Sequence, residues 1–387
     1  MTVAVPRETF EGERRVAMTP RACEPLAKAG IDVFMEPGAG VEAGYPDSVY
    51  ESHGAKFASR DELFQRADIV AQVRTLGANP TAGKPDLARL RKGQILIGLG
   101  EPLTSHTETR AIAATGATYF ALELVPRITR AQSMDVLSSM ASIAGYKAVL
   151  LGADALPKIF PMMMTAAGTI APAKVLILGA GVAGLQAIAT AKRLGAVVSA
   201  YDIRPAVKEQ IESLGAKFVT LELDTSKAED KGGYAKALTD AEAQRQRDQL
   251  GNVIAEQDVL ITTAAVPGRK APLLVTTAMA SRMAPGSVIV DLAAERGGNC
   301  ELTQAGKTIV HQGIQILGPV NIPAAVPFHA SQMFAMNVVA FLKNFVKKGV
   351  ITLDTNDEII RESIVTRDGA IANARVAELA GERTVTA

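Results

Sequence analysis

Short β-branched apolar runs alternate with helix-length stretches along most of the chain, and they fall into two sets. The first set predicts strands at Val3–Val5, Ile31–Met35, Ile69–Val73, Ile95–Leu99 and Ala117–Ala121. The second set predicts strands at 174–178, 196–201, 217–219, 258–263, 287–291, 308–310 and 314–317. Strands that alternate with helices are typical of parallel sheets, so we expect an α/β protein with two doubly wound parallel-sheet domains that flank a cleft.

The predicted helices set the domain boundaries. Leu185–Leu194 predicts a helix that ends at Gly195, because glycine readily adopts the left-handed conformation that follows a helix. Residues 140–170 are expected to be mostly helical and to join the two sheets, and 331–346 predicts a helix that returns to the first domain. We therefore expect an N-terminal domain formed by residues 1–140 together with 330–387. We expect the nucleotide-binding domain to be formed by residues 145–327.

Two further segments bear on the organisation of the chain. Residues 222–250 are polar and contain Gly232-Gly233-Tyr234, which predicts a mobile loop followed by a short helix. Residues 51–57 (ESHGAKF) resemble residues 212–218 (ESLGAKF), and each segment follows a strand that is preceded by glycine. This internal similarity supports an α/β architecture in both halves.

Composition excludes several classes of protein. At 387 residues the chain is too long for one core, and its apolar content of 48% is that of a folded protein. A net charge of +1, an aromatic content of 4% and the absence of Trp argue against a nucleic-acid partner. The two cysteines and four histidines form no metal-ligand spacing, so we expect no metal site and no disulfide framework. No targeting segment is expected, because the sequence begins with the strand-like run Thr2–Val5. No membrane-spanning segment is expected, because Asp135 and Lys147 interrupt the most apolar stretch.

A glycine motif follows the first strand of the second set. In Gly179-Ala-Gly181-Val-Ala-Gly184, the first glycine permits a tight turn, the second lets a pyrophosphate approach the backbone, and the third lets helix and strand pack closely. The following strand ends at Asp202, 18 positions after Gly184, where a carboxylate can bind both ribose hydroxyls and repel a 2′-phosphate. The motif therefore predicts NAD(H) rather than NADP(H). Arg204 could accept a 2′-phosphate, but we interpret it as a pyrophosphate or adenosine contact.

A polar segment, Arg127 to Ser139 (RITRAQSMDVLSS), follows the last strand of the first set and a proline. Its position at the carboxyl end of a strand is where ligands bind in α/β proteins, although a plain loop with helix-capping residues would have the same composition. We refer to residues 127–139 as the polar loop.

Several segments together resemble the NAD(H)-binding component of proton-translocating nicotinamide nucleotide transhydrogenase. The polar loop is the most specific of them, and the glycine motif is the least specific. The similarity extends over essentially the whole chain and is carried by these segments: 126–139, 160–169, 181–196, 232–236, 285–292, 295–300 and 365–370.

This resemblance implies two Rossmann-like domains and an oxidoreductase that passes hydride directly from NADH to NADP⁺. It implies that NADP(H) is held only by a separate partner component, and that a membrane-spanning proton-channel component couples transfer to proton translocation. A homodimer on the cytoplasmic side, attached peripherally to the inner membrane through its partner subunits, is also implied. Hydride transfer between nicotinamides needs no general acid or base, only two rings held roughly 3–3.5 Å apart with water excluded.

The resemblance also implies the site residues. Gln132, Arg127 and Asp135 would be the catalytic residues, with Gln132 reaching toward the second nucleotide, and Asp135 and Ser138 would hold the carboxamide. Val182 would supply a pyrophosphate N–H, and Tyr234 would lie on a loop that closes over the nucleotide. The full set of expected cofactor-binding residues is Arg127, Ile128, Thr129, Gln132, Asp135, Ser138, Gly179, Gly181, Val182, Ala183, Gly184, Asp202, Ile203, Arg204, Gly233, Tyr234, Gln246 and Ala265.

The alternative is an NAD-dependent amino-acid dehydrogenase similar to alanine dehydrogenase. Residues 13–20 and 36–40 occur in both families, and Arg15 stands where a dehydrogenase would bind a substrate carboxylate. That family expects a Lys and a His where this chain has Gln72 and Leu99, so its proton carriers are missing. Gln72 also departs from the transhydrogenase pattern. A third class is a non-catalytic NAD-sensing protein. The polar loop argues against this class, because a sensor does not need a polar group directed at a second nucleotide.

Overall fold

The structure, a computed structural model, describes residues 1–221, 239–266 and 268–382. The chain divides into two compact units. Unit 1 contains residues 1–140 and 323–387, and unit 2 contains residues 141–322. The predicted sites Gly233 and Tyr234 lie outside the described residues.

Both units are built from strands and helices that alternate along the chain. The strands are β1 (Thr2–Val5), β2 (Asp32–Met35), β3 (Lys56–Phe57), β4 (Ile69–Arg74), β5 (Ile95–Leu99), β6 (Thr118–Ala121), β7 (Met163–Thr165), β8 (Gly168–Ile170), β9 (Lys174–Leu178), β10 (Val197–Tyr201), β11 (Lys217–Phe218), β12 (Val259–Thr262), β13 (Val288–Asp291), β14 (Thr308–His311), β15 (Ile314–Leu317), β16 (Val346–Lys347), β17 (Val350–Ile351), β18 (Ile364–Arg367) and β19 (Ala370–Ile371). The helices are α1 (Pro20–Ala27), α2 (Asp47–Ser52), α3 (Arg60–Arg66), α4 (His106–Ala114), α5 (Val136–Ala155), α6 (Val182–Arg193), α7 (Lys208–Ser213), α8 (Asp240–Ala255), α9 (Thr277–Ala280), α10 (Pro327–Phe345), α11 (Glu358–Ser363) and α12 (Ala374–Ala380).

The sheet of unit 1 has the order β19-β18-β6-β5-β4-β1-β2-β3. Its six strands from β1 to β6 are parallel. The near-continuous apolar sequences of β1, β4, β5 and β6 are mostly buried, as expected for a sheet covered on both faces, while β2 and β3 near the edge are partly exposed. The two remaining strands come from the C-terminal segment, and β18 pairs antiparallel with β6. The C-terminal segment therefore completes the edge of this sheet.

The sheet of unit 2 has the order β11-β10-β9-β12-β13-β15-β14 and is parallel except for β14. The strand order reverses between β9 and β12, which makes the carboxyl ends of these two strands a topological switch point. The expected α/β class with doubly wound parallel sheets is confirmed.

The internal similarity of the sequence marks equivalent places in the two sheets. Residues 51–57 form the end of α2, a turn and β3, and residues 212–218 form the end of α7, a turn and β11. Both β3 and β11 are edge strands that pair parallel with the second strand of their sheet. In each turn a glycine adopts a positive φ, 84° at Gly54 and 78° at Gly215.

The prediction of a mostly helical segment over 140–170 is wrong in its second half. Helix α5 ends at Ala155, because Pro157 disfavours helical geometry at the preceding residue. Residues 163–170 form an antiparallel hairpin, β7 and β8, in which Gly168 directly follows the turn and has a φ of 124°. The predicted short helix of 222–250 is the 16-residue α8, and the rest of that stretch lies outside the described residues.

Helix α5 is, by length and composition, apolar enough to cross a membrane. It is the one such helix in the part of the chain that the structure describes, and 39% of its most apolar window is buried inside the protein. Core helices of water-soluble proteins meet the same criterion, so this finding is weak evidence for a spanning segment.

Candidate dinucleotide site

The glycine motif forms the turn between β9 and α6, at the switch point of unit 2. Gly179 has a φ of 98°, which a residue with a side chain rarely adopts. A Cβ on Gly184 would stand 1.9 Å from the Gly179 carbonyl oxygen, so only glycine permits this strand-to-helix packing. A Cβ on Gly181 would meet no atom within 4 Å, so the space beside the N-terminus of α6 is open. An exposed helix N-terminus with free N–H groups, including those of Val182 and Ala183, suits a pyrophosphate.

Asp202 lies beside this turn, directly after β10, and is 7% exposed. Its Oδ2 accepts the Ala180 N–H at 2.7 Å and an Arg204 Nη2 hydrogen bond at 2.8 Å. Its Oδ1 accepts the backbone N–H and the Nε–H of Arg204, both at 2.9 Å. The carboxylate thus connects the glycine turn to Arg204, which is itself largely covered. The next residue, Ile203, is half-buried.

Ala265 is exposed at the carboxyl end of β12, on the other side of the switch point. The preceding residue, Ala264, donates its N–H to Asn299 Oδ1 at 3.0 Å and accepts from Asn299 Nδ2 at 2.8 Å. Thr263 Oγ1 donates to the Gly179 carbonyl at 3.0 Å. The segment that carries Ala265 is therefore held against the glycine turn.

The carboxylate that holds Asn299 is Asp291, at the end of β13. Asp291 is fully buried and accepts the backbone N–H groups of Asn299 and Cys300 at 2.7 and 3.0 Å. It also accepts the hydroxyls of Thr262 and Thr303 at 2.9 and 2.6 Å. Residues 285–292 and 295–300 contribute to the family resemblance, but the sequence alone assigns them no role. Their side chains fix the loop after β12.

Unlike the exposed residues of the switch point, Gln246 is buried. It lies on α8, is 5% exposed, and donates from Nε2 to the Tyr201 hydroxyl at 2.9 Å. Tyr201 precedes Asp202 in the chain. Gln246 thus contacts the predicted ribose site through Tyr201, whose pKa burial raises above its ordinary value.

The polar loop in unit 1 contains a 3₁₀ segment, Thr129–Met134, followed by α5. Asp135 lies at the start of α5, and its two carboxylate oxygens accept the backbone N–H and the hydroxyl of Ser138 at 2.8 and 2.6 Å. This is the geometry of a helix N-cap. Arg127 lies near both residues, with Nη2 3.4 Å from Ser138 Oγ and Nε 3.9 Å from Asp135 Oδ2.

The structure thus brings Arg127, Asp135 and Ser138 together as one cluster. The side chains of Gln132 and Thr129 are exposed, and Ile128 is half-buried. Asp135 caps α5, which is the helix-capping role that the composition of this loop allowed. Arg127 and Gln132 are exposed to solvent.

A second charged cluster lies at the amino end of unit 1. Arg15 donates to Glu13 through Nε at 2.7 Å and Nη2 at 2.6 Å, and Arg74 Nε donates to Glu13 at 2.9 Å. Burial alone would raise the pKa of Glu13, but the hydrogen bonds and charge of Arg15 and Arg74 lower it to about 2. Gln72 is 6% exposed on β4, and Leu99 ends β5. Neither position offers an ammonium or imidazole group.

Among the described residues, no group of three or more His, Cys, Asp or Glu side chains could hold a metal ion. Cys23 and Cys300 are buried thiols, and burial raises the pKa of Cys23 to about 12 and that of Cys300 to about 11. Neither thiol is activated as a nucleophile.

Comparison with known proteins gives one family over nearly the whole chain. Residues 4–144 match the family "Alanine dehydrogenase/PNT, N-terminal domain", and residues 148–374 match "Alanine dehydrogenase/PNT, C-terminal domain". The chain is 46% identical over 378 residues to an NAD(P) transhydrogenase alpha-subunit polypeptide of Rhodospirillum rubrum, covering 96% of this chain and 98% of that protein. It is 45% identical to the NAD(P) transhydrogenase subunit alpha of Cereibacter sphaeroides, covering 96% of this chain and 71% of that protein.

Among solved structures, a transhydrogenase is more similar to this chain than an alanine dehydrogenase is. A transhydrogenase from Sinorhizobium meliloti is 41% identical with a TM-score of 0.83, covering 96% of this chain and 99% of that chain. An L-alanine dehydrogenase structure is 27% identical with a TM-score of 0.79, covering 98% and 99%. These transhydrogenase chains are thus more similar to this chain than the dehydrogenase is. The chain belongs to the alanine dehydrogenase/PNT family and, within it, groups with the NAD(P) transhydrogenase alpha subunits.

Proposed function

We propose that this chain is the NAD(H)-binding subunit of a proton-translocating transhydrogenase. It would pass hydride directly between NADH on its own surface and NADP⁺ on a partner component. The observation that carries the proposal is the glycine turn at the switch point of unit 2, with the Asp202 carboxylate beside it and open space at Gly181.

NAD(H) fits this site on the geometry of the turn alone. The missing side chain at Gly181 lets a pyrophosphate approach the first turn of α6, where Val182 and Ala183 present backbone N–H groups. Asp202 and Ile203 stand where the adenosine ribose is bound in this fold, with Arg204 beside them. Gln246 and Ala265 border the same edge of the sheet.

The nicotinamide ring supplies the hydride chemistry, and the chain supplies binding, orientation and exclusion of water. No proton accompanies a hydride, so neutral and singly charged positioning groups suffice. In the polar loop, Arg127, Asp135 and Ser138 form a hydrogen-bonded cluster suited to a carboxamide. Gln132 is exposed beside that cluster and is the residue we assign to the second nucleotide.

The partners follow from the proposed role. NADP(H) would be bound only on a separate component, and a membrane-spanning proton-channel component would couple hydride transfer to proton translocation. The chain would lie on the cytoplasmic side, attached to the membrane through these subunits. The names of the relatives as alpha subunits support a multi-subunit assembly.

We also propose that the chain is a homodimer. The β7–β8 hairpin exposes Met164 (76%) and Ile170 (47%), and Met162, directly before it, is 59% exposed. Beside the hairpin is an open groove of about 730 Å³, lined largely by apolar side chains such as Leu156, Phe160 and Leu194. Isolated two-stranded hairpins are marginally stable, so an apolar hairpin of this kind is suited to packing on a second copy.

The second candidate function is amino-acid dehydrogenation, which the similarity to alanine dehydrogenases favours. The discriminating experiment mixes the purified chain and NADH with an NADP⁺-loaded partner component, and separately with pyruvate and ammonia. We expect NADPH to form only when both proteins are present. NADH oxidation in the pyruvate arm alone would make the protein a dehydrogenase and reject the proposal.

A further inference from the structure

The C-terminal segment of unit 1 is attached to the polar loop on both sides of Gln132. After Gln132, the Ser133 carbonyl accepts a hydrogen bond from Asn337 Nδ2 on α10 at 2.8 Å, and Asn337 is 6% exposed. Around it, Ala131 is 1% and Met134 is 6% exposed, so the backbone of the 3₁₀ segment is anchored in the core while the Gln132 side chain is exposed.

Before Gln132, a closed ring of three side chains holds Arg130. The Arg130 guanidinium donates to both carboxylate oxygens of Asp357, and its Nη1 also donates to Asn344 Oδ1 at 3.0 Å. Asn344 Nδ2 completes the ring by donating to Asp357 Oδ2 at 3.0 Å. Asp357 and Asn344 belong to the returning segment, so the ring joins positions 227 residues apart in the chain. We call Arg130, Asn344 and Asp357 the Arg130 ring.

The geometry indicates that the ring orients the loop and does little for the stability of the protein. The Arg130 side chain is 54% exposed, and exposed ion pairs are largely screened by solvent. The planar fork nevertheless fixes the direction of the guanidinium, because its hydrogen bonds to both carboxylate oxygens of Asp357 must be satisfied at once. Arg130 lies two residues before Gln132, within the same 3₁₀ segment.

We propose that the Arg130 ring and Asn337 are positioning residues for Gln132, so that the C-terminal segment sets the geometry of hydride transfer. The proposal rests on the proposed function, because it assigns Gln132 to the reacting nucleotides. Arg130 itself acts through the loop backbone: its guanidinium is committed to Asp357 and Asn344.

The variants are chosen to separate orientation from folding. Asp357 also caps α11 by accepting the Ile359 N–H at 3.0 Å, and asparagine is an equally good N-cap. Asp357→Asn therefore keeps the cap and removes the charged fork. Arg130→Ala removes the other partner, and Arg130→Lys keeps the charge without the fork. Arg361→Ala is the matched control, because Arg361 is an exposed arginine on α11 that contacts Glu362.

The first readout is hydride transfer to an NADP⁺-loaded partner component, measured beside NADH affinity from a fluorescence titration. We expect Arg130→Ala and Asp357→Asn each to slow transfer by roughly tenfold to a hundredfold, because small displacements of positioning groups have effects of this size. NADH affinity should change less than about twofold, since the nucleotide site of unit 2 is untouched. The double variant should be no slower than the worse single variant, and Arg130→Lys should not restore the rate.

Several results would overturn the proposal: transfer by Arg130→Ala as fast as by Arg361→Ala, equal losses in transfer and NADH affinity, or full rescue by Arg130→Lys. Hydrogen exchange at the amides of 129–135 provides a readout that needs no activity. We expect faster exchange in Arg130→Ala than in the control, and equal exchange would show that the ring does not hold the loop. A wild-type protein that transfers no hydride would instead reject the proposed function.

Discussion

The Asp202 carboxylate is already saturated with hydrogen bonds in this structure. It accepts one bond from Ala180 and three from Arg204, and a carboxylate offers about four acceptor positions. A ribose hydroxyl can therefore be bound only if Arg204 gives up at least one of its contacts. Arg204 also partly neutralises the charge that would repel a 2′-phosphate. We therefore expect selectivity between NADH and NADPH to depend on Asp202 and Arg204 together.

This arrangement predicts the effect of Asp202→Asn. The amide oxygen can still accept the Ala180 N–H, so the turn should persist, but the negative charge is lost. We expect NADH affinity to fall by about tenfold, the loss of one charged hydrogen bond, and discrimination against NADPH to relax. Fluorescence titrations with NADH and with NADPH measure the NADH affinity and the discrimination against NADPH. Glu209→Gln, an exposed carboxyl at the start of α7, serves as the control. Unchanged selectivity would remove Asp202 from the site.

At the scale of elements, sequence patterns located the strands whose apolar runs are continuous. Strands β9, β5 and β15 have the predicted bounds, because each is dominated by a buried apolar run; Lys174 at the start of β9 and Gln315 in β15 are the polar exceptions. The two-residue strand β3 was not predicted, since two residues carry no periodicity, whereas the two-residue strand β11 lies within the predicted strand 217–219. The β7–β8 hairpin was missed because its methionines are as compatible with a helix as with a strand.

The glycine turn and Asp202 were predictable because their spacing follows from the βαβ unit itself. The Arg130 ring was not predictable, because it joins side chains that are hundreds of positions apart and depends on where α10 and α11 return in unit 1. The contacts of Asp291 and Asn299 span at most 35 positions, but they too depend on how the loops after β12 and β13 fold against each other. Sequence indicates which residues can do chemistry, while the residues that orient them appear only in the fold.

The short segment between β6 and the polar loop contains a buried carboxyl, Glu123. Its Oε1 accepts the N–H groups of Gly100 and Glu101 at 2.8 and 2.6 Å, while Oε2 is buried and has no hydrogen-bond partner among the described residues. Burial raises the pKa of Glu123 to about 7. The folded protein therefore keeps this proton over a range of pH in which the unfolded chain has lost it.

The pH dependence of stability follows from this difference. The contribution of Glu123 is fully present below about pH 4.5 and is lost as pH rises through 7. Glu123→Gln cannot ionise, so relative to wild type it should gain up to about 3 kcal/mol in unfolding free energy between pH 4.5 and 8. Urea denaturation at several pH values measures this difference. Glu51→Gln, at an exposed site on α2, should show no such trend. Parallel pH profiles for wild type and Glu123→Gln would contradict the argument.

At the scale of the whole molecule, the proposed homodimer predicts that a charged substitution in the β7–β8 hairpin weakens dimerisation. Met164 is the most exposed large apolar residue of the hairpin, and Met164→Lys should shift the protein from dimer toward monomer, because a buried ammonium has no partner in an apolar interface. Sedimentation velocity at several concentrations would measure the shift. Val310→Lys is the control, since Val310 is 70% exposed on the edge strand β14 of the same unit. Equal association of both variants with wild type would exclude the hairpin from the interface.

Unit 1 is completed by its own C-terminal segment, which also contacts the polar loop. Strand β18 closes the sheet beside β6, α10 lies along the 3₁₀ segment of the loop, and α11 carries the N-cap Asp357. Unit 2 provides the dinucleotide turn independently. The proposed reaction needs both: a turn that binds NAD(H) and a loop that orients the transfer.

The central claim is direct hydride transfer between two nicotinamides, and isotope labelling tests it most directly. The purified chain would be loaded with NADH that carries deuterium at both C4 positions and mixed with its NADP⁺-loaded partner component in ordinary water, in a single turnover. The account predicts NADPH that retains the deuterium, because no solvent-exchangeable group carries the hydride. NADPH without deuterium, or no NADPH alongside alanine formation from pyruvate and ammonia, would contradict it.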